Sequence, residues 1–237
     1  MMKLNDLIQQ KIILSILKQG NNAFSKDQLR SHLKVSSNVL DSTLEKFLEM
    51  NLIRQVGGVF RATSSQRLEL AIQAINFGAD IEHVSKYLTW DEFEDLTSKA
   101  FLVKGYEVLK HFRFKYANKR NEIDILAFRK PLILCVDCKH WKRGLKSSLE
   151  RIVKDQIKRA ERLSQTLENS KLRRRVSMWE KIILVPIILS LTAVPSKFCY
   201  NVPIVPILQL RDFLDQLPAY IDSLKTFRVN LKTLEDY

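Results

Sequence analysis

The chain has 237 residues, 46% of them hydrophobic and 27% charged, with a formal net charge of +13 at pH 7 and a pI near 9.7. That length and apolar content suffice for one large core or two smaller ones, and three cysteines exclude a disulfide framework and suit a reducing compartment. The basic balance suits a polyanionic partner, although soluble basic proteins without such a partner share it.

The longest apolar stretch, Ile182 to Leu189, contains Pro186 and is too short to cross a bilayer. Met1 to Asp6 lacks the apolar region of a signal peptide. A folded, cytoplasmic protein with no membrane partner is therefore expected.

Along the chain, Leu7, Ile8, Ile12, Ile13, Ile16 and Leu17 recur at helical spacing until Gly20-Asn21-Asn22 stops the helix. Ser25 is placed to cap a second helix over Lys26 to Leu33, and a third spans Asn38 to Met50. Gly57-Gly58 between two short β-like runs, Ile53 to Ala62, predicts a tight hairpin. Three helices and a hairpin resemble a winged helix over residues 1–64, a small α+β domain. The third helix carries Asp41, Glu45 and Glu49 against Lys46. That face suits phosphates poorly, so direct DNA reading and a dimerisation or docking role both stand.

Residues 65–89 read as a helical linker, with apolar stripes interrupted at Phe77-Gly78-Ala79. From Trp90 the pattern changes, and residues 90–237 read as a second domain. A helix from Asp91 to Lys104 ends at Gly105; strands follow at Tyr106–Arg113, Asn121–Phe128 and Leu132–Lys139. A charged helix, Ser148 to Leu167, leads to apolar runs at Lys181–Leu189 and Val202–Leu208, then to helical Leu210–Leu217 and a polar tail. The order is αβββαββα, an α/β domain.

Within this layout Asp137-Cys138-Lys139 closes the third strand, 13 residues after Asp124. Strand alternation puts Asp137 and Lys139 on one face, roughly 6 to 7 Å apart, with Val136 and Cys138 on the other. Asp124 interrupts an otherwise apolar strand, where a carboxylate needs a cation or donors to meet it. Two carboxylates on neighbouring strands can hold one Mg²⁺ or Mn²⁺ that keeps its waters, and Lys139 can orient the attacking water and stabilise the developing charge. Charge and chemistry coincide: between Lys99 and Arg159 there are 17 Lys plus Arg against 6 Asp plus Glu, a net of +11.

Trp90-Asp91-Glu92-Phe93-Glu94, Gly105-Tyr106, Glu122-Ile123-Asp124 and Val136-Asp137-Cys138-Lys139 together resemble the PD-(D/E)xK nuclease superfamily. The pattern is most similar to archaeal Holliday-junction resolvases and to restriction endonucleases that attack modified DNA. The resemblance implies a restriction-endonuclease-like core with a mixed five-stranded sheet, and an archaeal source. It implies Asp124, Asp137 and the backbone carbonyl of Cys138 as metal ligands, Lys139 as catalytic, and Glu94 as a further ligand of metal or water, with Glu92 competing for that role. Gln156 matches a Gln that supports such sites, and an ordinary helix position is its alternative. Members of the superfamily pair to cut two strands, so a homodimer is expected. Ile123 stands where the family has Pro, and the second acid is Asp rather than Glu.

A zinc cluster of Cys135, Cys138 and His140 is the rival reading, and strand geometry argues against it because residues 135 and 138 point to opposite faces. Trp141, Lys142, Arg143 and Lys146 are candidates for a DNA backbone groove, or in the case of Trp141 for packing at the domain edge. Lys115, Lys119 and Arg120 sit in a loop with Phe112, Phe114 and Tyr116 interleaved, and are further candidates for DNA binding. The function expected is a metal-dependent DNA endonuclease of restriction, repair or recombination. A non-catalytic DNA-binding or regulatory protein on the same fold is the alternative, and an RNA-directed nuclease a third.

Overall fold

The computed structural model describes residues 4–139, 146–169, 171–191 and 196–231. The chain divides into two compact units, Met1–Leu96 and Thr97–Tyr237.

In the first unit α1 (Leu4–Lys18) buries Ile12, Ile13, Ile16 and Leu17, and ends at Gly20, whose φ of 64° favours glycine. α2 (Lys26–His32) begins in a capping box: the Ser25 hydroxyl accepts the Gln28 amide at 3.2 Å and the Gln28 side chain accepts the Ser25 amide at 2.8 Å. α3 (Ser37–Glu49) follows, then the hairpin β1 (Arg54–Val56) and β2 (Val59–Arg61). Its turn needs positive φ at both central residues, and Gly57-Gly58 supplies 57° and 80°.

The segment expected to be a linker folds as α4 (Ser64–Asn76), opened by a second capping box at Thr63 and Gln66, and as the short α5 (Ile81–Ser85). Leu68, Leu70, Ala71, Ala74 and Val84 lie in the same core as the apolar faces of α1 to α3. These helices therefore belong to the packed unit. The division between the units falls within α6 (Trp90–Val103).

The buried Arg67 ties this unit together. Its Nε donates to Glu92 Oε1 at 2.8 Å, and its remaining nitrogens donate to the carbonyls of Leu17, Gly20 and Tyr87. A guanidinium has five donors and no acceptor, so full burial demands such a set of partners.

The second unit is built on a mixed seven-stranded sheet. β3 (Glu107–Tyr116), β4 (Lys119–Arg129) and β5 (Leu132–Lys139) run antiparallel in succession. α7 (Lys146–Thr166) and the short α8 (Leu172–Arg175) lead to β6 (Lys181–Ser190), which pairs parallel with β5. β7 (Phe198–Cys199) and β8 (Val202–Pro206) follow, β8 parallel to β6, then α9 (Leu210–Tyr220) and β9 (Phe227–Asn230). The unit is thus α/β, as expected, but its sheet is wider than five strands because β7 and β9 join it. β9 lies in the stretch read as a polar tail and pairs antiparallel with residues 181–184 of β6.

One edge of β6 is consequently shared: β9 ends at Leu184 and β8 begins at Ile188. Ile183 donates to Pro131 and Leu191 to Lys139, so odd-numbered amides of β6 face β5 and even-numbered positions face the shared edge. Pro186 falls in the gap between β9 and β8, where its missing amide forfeits no ladder bond.

α7 and the turn that follows it cover one face of the sheet, burying Ala160, Leu163 and Leu167 against Leu126, Ile133, Cys135 and Leu184. The pair Leu109 and Leu126 shares this face with the pair Phe112 and Ile123, three residues away on each strand. An odd separation requires the alternation to shift between the pairs. The shift falls at His111, with φ of 51°, and Asp124, which the ladder leaves unpaired between Lys110–Ile125 and Phe112–Ile123.

Candidate functional site

The β4–β5 ladder stops at Ile125 and Val136, one residue short of Asp124 and Asp137, which its register would set opposite each other. Directly opposed residues of antiparallel strands share a face. The alternation on β5 points the amide and carbonyl of Cys138 toward β4, and the Asp124 carboxylate accepts that amide at 2.8 Å in place of a backbone carbonyl. Burial raises the Asp124 carboxyl above its ordinary range, and the neighbouring charge of Asp137 adds to the effect; the Cys138 amide, Lys139 and Arg159 oppose it.

Asp137 is 2% exposed. Its Oδ2 lies 2.6 Å from Lys139 Nζ, as the two-residue spacing on one strand face predicts, and its Oδ1 accepts Arg159 Nη2 at 2.5 Å. Lys139 Nζ also reaches the Cys138 carbonyl at 3.4 Å. Two acids and two bases thus balance one another.

Gln156, one helical turn before Arg159, is fully buried rather than an ordinary surface position. Its Nε2 donates to the Cys135 carbonyl at 2.6 Å and its Oε1 accepts Arg159 Nε at 2.8 Å. The amide fixes the guanidinium that holds Asp137. Arg159 escaped the sequence reading because α7 carries many cations; its i,i+3 spacing from Gln156 was the available signal.

Glu94 belongs to the first unit, where it is buried and accepts Trp90 Nε1 at 2.5 Å. Its rival Glu92 is engaged by Arg67 and also accepts the Thr89 amide at 2.8 Å, which makes it the structural acid of the two. Lys115, Lys119 and Arg120 are exposed around the β3–β4 turn, where Ala117 and Asn118 take φ of 45° and 61°. Trp141, Lys142 and Arg143 lie outside the described residues, as does His140, and so does the side chain of Lys146, whose backbone opens α7.

Cys135 and Cys138 are both buried, and burial pushes the Cys135 thiol far above its ordinary value. Among the described residues no three His, Cys, Asp or Glu side chains converge as a ready metal cluster. Asp124, Asp137 and the Cys138 carbonyl nonetheless offer only oxygen donors, and burial and the neighbouring Asp137 both disfavour the ionised form of Asp124. A hard divalent cation that retains waters fits such a set.

No helix among the described residues is long and apolar enough to cross a membrane. Among curated proteins nothing matches the chain. Three solved structures are similar to it in part. They are AF1548, a protein of unknown function (13% identity, 41% of this chain and 44% of that one, TM-score 0.29); protein VC1899 from Vibrio cholerae (11%, 94% and 55%, 0.38); and Can2 from Sulfobacillus thermosulfidooxidans in complex with cyclic tetra-adenylate (14%, 90% and 51%, 0.38). The chain spans about half the length of each. Residues 83–191, the stretch that holds Asp124, Asp137, Lys139, Gln156 and Arg159, are similar to the NERD family, described as a nuclease-related domain.

Proposed function

We propose that this protein is a metal-dependent DNA endonuclease. The observation that carries the reading is Asp124 and Asp137 at the open end of one strand pair, with Lys139 on the same face and Asp124 raised by burial and by its neighbour. Asp124, Asp137 and the Cys138 carbonyl would hold Mg²⁺ or Mn²⁺, which when bound supplies Lewis acidity toward a phosphoryl oxygen and acidifies water. Lys139 exchanges its contact with Asp137 for the attacking water and the developing phosphorane charge. Arg159 keeps Asp137 oriented, and Gln156 keeps Arg159 in place. Glu94 is proposed as an additional ligand of metal or water, Lys115, Lys119, Arg120, Trp141, Lys142, Arg143 and Lys146 as contacts to the DNA backbone, and residues 1–64 as a winged-helix-like module that docks DNA or a second copy.

Incubation of supercoiled plasmid, a four-way junction and single strands with Mg²⁺ or Mn²⁺ is expected to give products absent under EDTA. Asp137→Asn is expected to abolish them with DNA binding retained. Cleavage by Asp137→Asn at the wild-type rate would reject the assignment.

One observation favours a second reading, a DNA-binding regulatory protein without catalysis: both oxygens of Asp137 already meet cations, so the site is neutral without a metal. Under that reading every substrate survives in both cations while DNA binding persists.

A further inference from the structure

Beside the β3–β4 hairpin lies a cleft of about 740 Å³ whose floor includes Phe112 and Phe114 and whose rim includes Lys115, Arg120 and Lys171. The three cations are exposed and make no ion pair among the described residues, whereas Arg113 at the same cleft is held by Glu122 at 2.7 Å. The two rings are nearly parallel, 6.0 Å apart and 21° from coplanar, and Phe112 is half-buried, so its ring is preset. That volume falls in the range of a small-ligand cavity, and a rigid duplex is too wide to enter it. A preset aromatic ring under a rim of unpaired cations matches one unstacked base with its phosphate.

The cleft is connected to the acid pair by one face of α7. Arg159, Arg162 and Thr166 succeed each other at helical spacing: Arg159 holds Asp137, Arg162 donates to Asn121 at 2.8 Å, and Thr166 and Asn121 both line the cleft. Seven residues of helix span about 10 Å. Asp124 to Asn121 along β4 likewise spans about 10 Å. Stacked nucleotides rise about 3.4 Å per strand, so the cleft lies about three nucleotides from the acids.

We propose that the cleft receives an unpaired nucleotide of the bound strand, about three nucleotides from the bond presented to Asp124 and Asp137. The protein therefore favours nucleic acid with a single-stranded segment beside the scissile bond. This substrate class rests on the nuclease reading, but its test does not require cleavage.

Fluorescence anisotropy in EDTA compares a duplex bearing a single-stranded overhang with a blunt duplex of equal length, at one salt concentration. Wild type is expected to bind the overhang roughly tenfold more tightly. The variant Lys171→Glu, at an exposed position of the cleft, is expected to lose most of that preference while blunt-duplex affinity changes less than about twofold, because a phosphate contact to the extra strand is removed. Phe112→Leu keeps an apolar side chain for the core and removes the ring; it too is expected to lose the preference, with an unchanged circular dichroism spectrum. Equal binding of both probes by wild type, or an equal loss on both in Lys171→Glu, would overturn the proposal. A chain that cuts nothing in Mg²⁺ yet shows this preference would reject the nuclease reading and leave the cleft assignment standing.

Discussion

The carboxylate of Asp124 accepts the backbone amide of Cys138 at the point where the β4–β5 ladder ends. A side chain thereby replaces the carbonyl that a continuing ladder would have offered, and the two strands can separate with that amide satisfied. The opening holds Asp124 and Asp137 side by side.

Asp124→Asn keeps an oxygen for the Cys138 amide and removes a charge that burial and Asp137 both disfavour. The raised carboxyl means that ionisation of Asp124 withdraws stability from the folded state as pH rises from the ordinary carboxylate range, about 4, through the elevated folded value. The variant is therefore expected to melt at higher temperature than wild type in EDTA at pH 8, with the gap closing as pH falls to 4. It is also expected to lose divalent-dependent cleavage. Thermal melts at both pH values check the sign; a variant less stable than wild type at pH 8 contradicts it.

Arg159→Met removes one of the two cations on Asp137. Breaking a fully buried pair costs about 3–5 kcal/mol, and the partial exposure of Arg159 brings the expected loss to about 2 kcal/mol. Urea unfolding in EDTA measures it. Lys139→Ala should reduce cleavage by about 10²- to 10³-fold, the scale of losing one charge-stabilising donor at a reacting centre. Single-turnover rates in Mg²⁺ test that; a rate within a factor of three of wild type removes Lys139 from the chemistry.

Arg67→Met strands the Glu92 carboxylate, which is 2% exposed, and is expected to destabilise the first unit by about 3–5 kcal/mol. Combining it with Glu92→Leu should recover part of the loss, since an apolar pair avoids the desolvation of two charges. Limited proteolysis within residues 1–96 during a urea titration reports the unfolding of this unit.

Thiol accessibility gives a further test. Cys135 and Cys138 are buried and Cys199 is only partly so, so a thiol reagent at pH 8 is expected to modify Cys199 in the native protein and the other two only after denaturation. Rapid native modification of Cys135 would mean that α7 does not cover β5 as described.

Helical periodicity made α1 to α4 legible from the sequence, and Gly57-Gly58 made the hairpin so, because these signals are local. The same holds for Asp137 and Lys139, whose two-residue spacing needs only an extended strand to become a shared face. What escaped depends on distant partners. Phe227-Arg228-Val229-Asn230 is too short to declare itself a strand and becomes one through residues 181–184 of β6. The linker reading of 65–89 failed to see that Leu70 and Ala74 have a core to enter, which only the packing of α1 supplies. Gln156 looked like one more polar helix residue; its burial follows from the Cys135 carbonyl on a strand 21 residues earlier. The shift of facing at His111 and Asp124 has no sequence signal, since neither residue is a usual choice for a break in a strand.

Pro186 makes one flank of β6 a site of two independent tenancies. No amide at that position links the β9 stretch to the β8 stretch, and the two neighbours run in opposite directions. Withdrawal of the C-terminal strand would therefore uncover residues 181–184 without unzipping residues 188–190, which lie abreast of Asp137 through Lys139. Amide exchange should resolve the two stretches as separate events, so that fraying at the chain's end is silent at the acids.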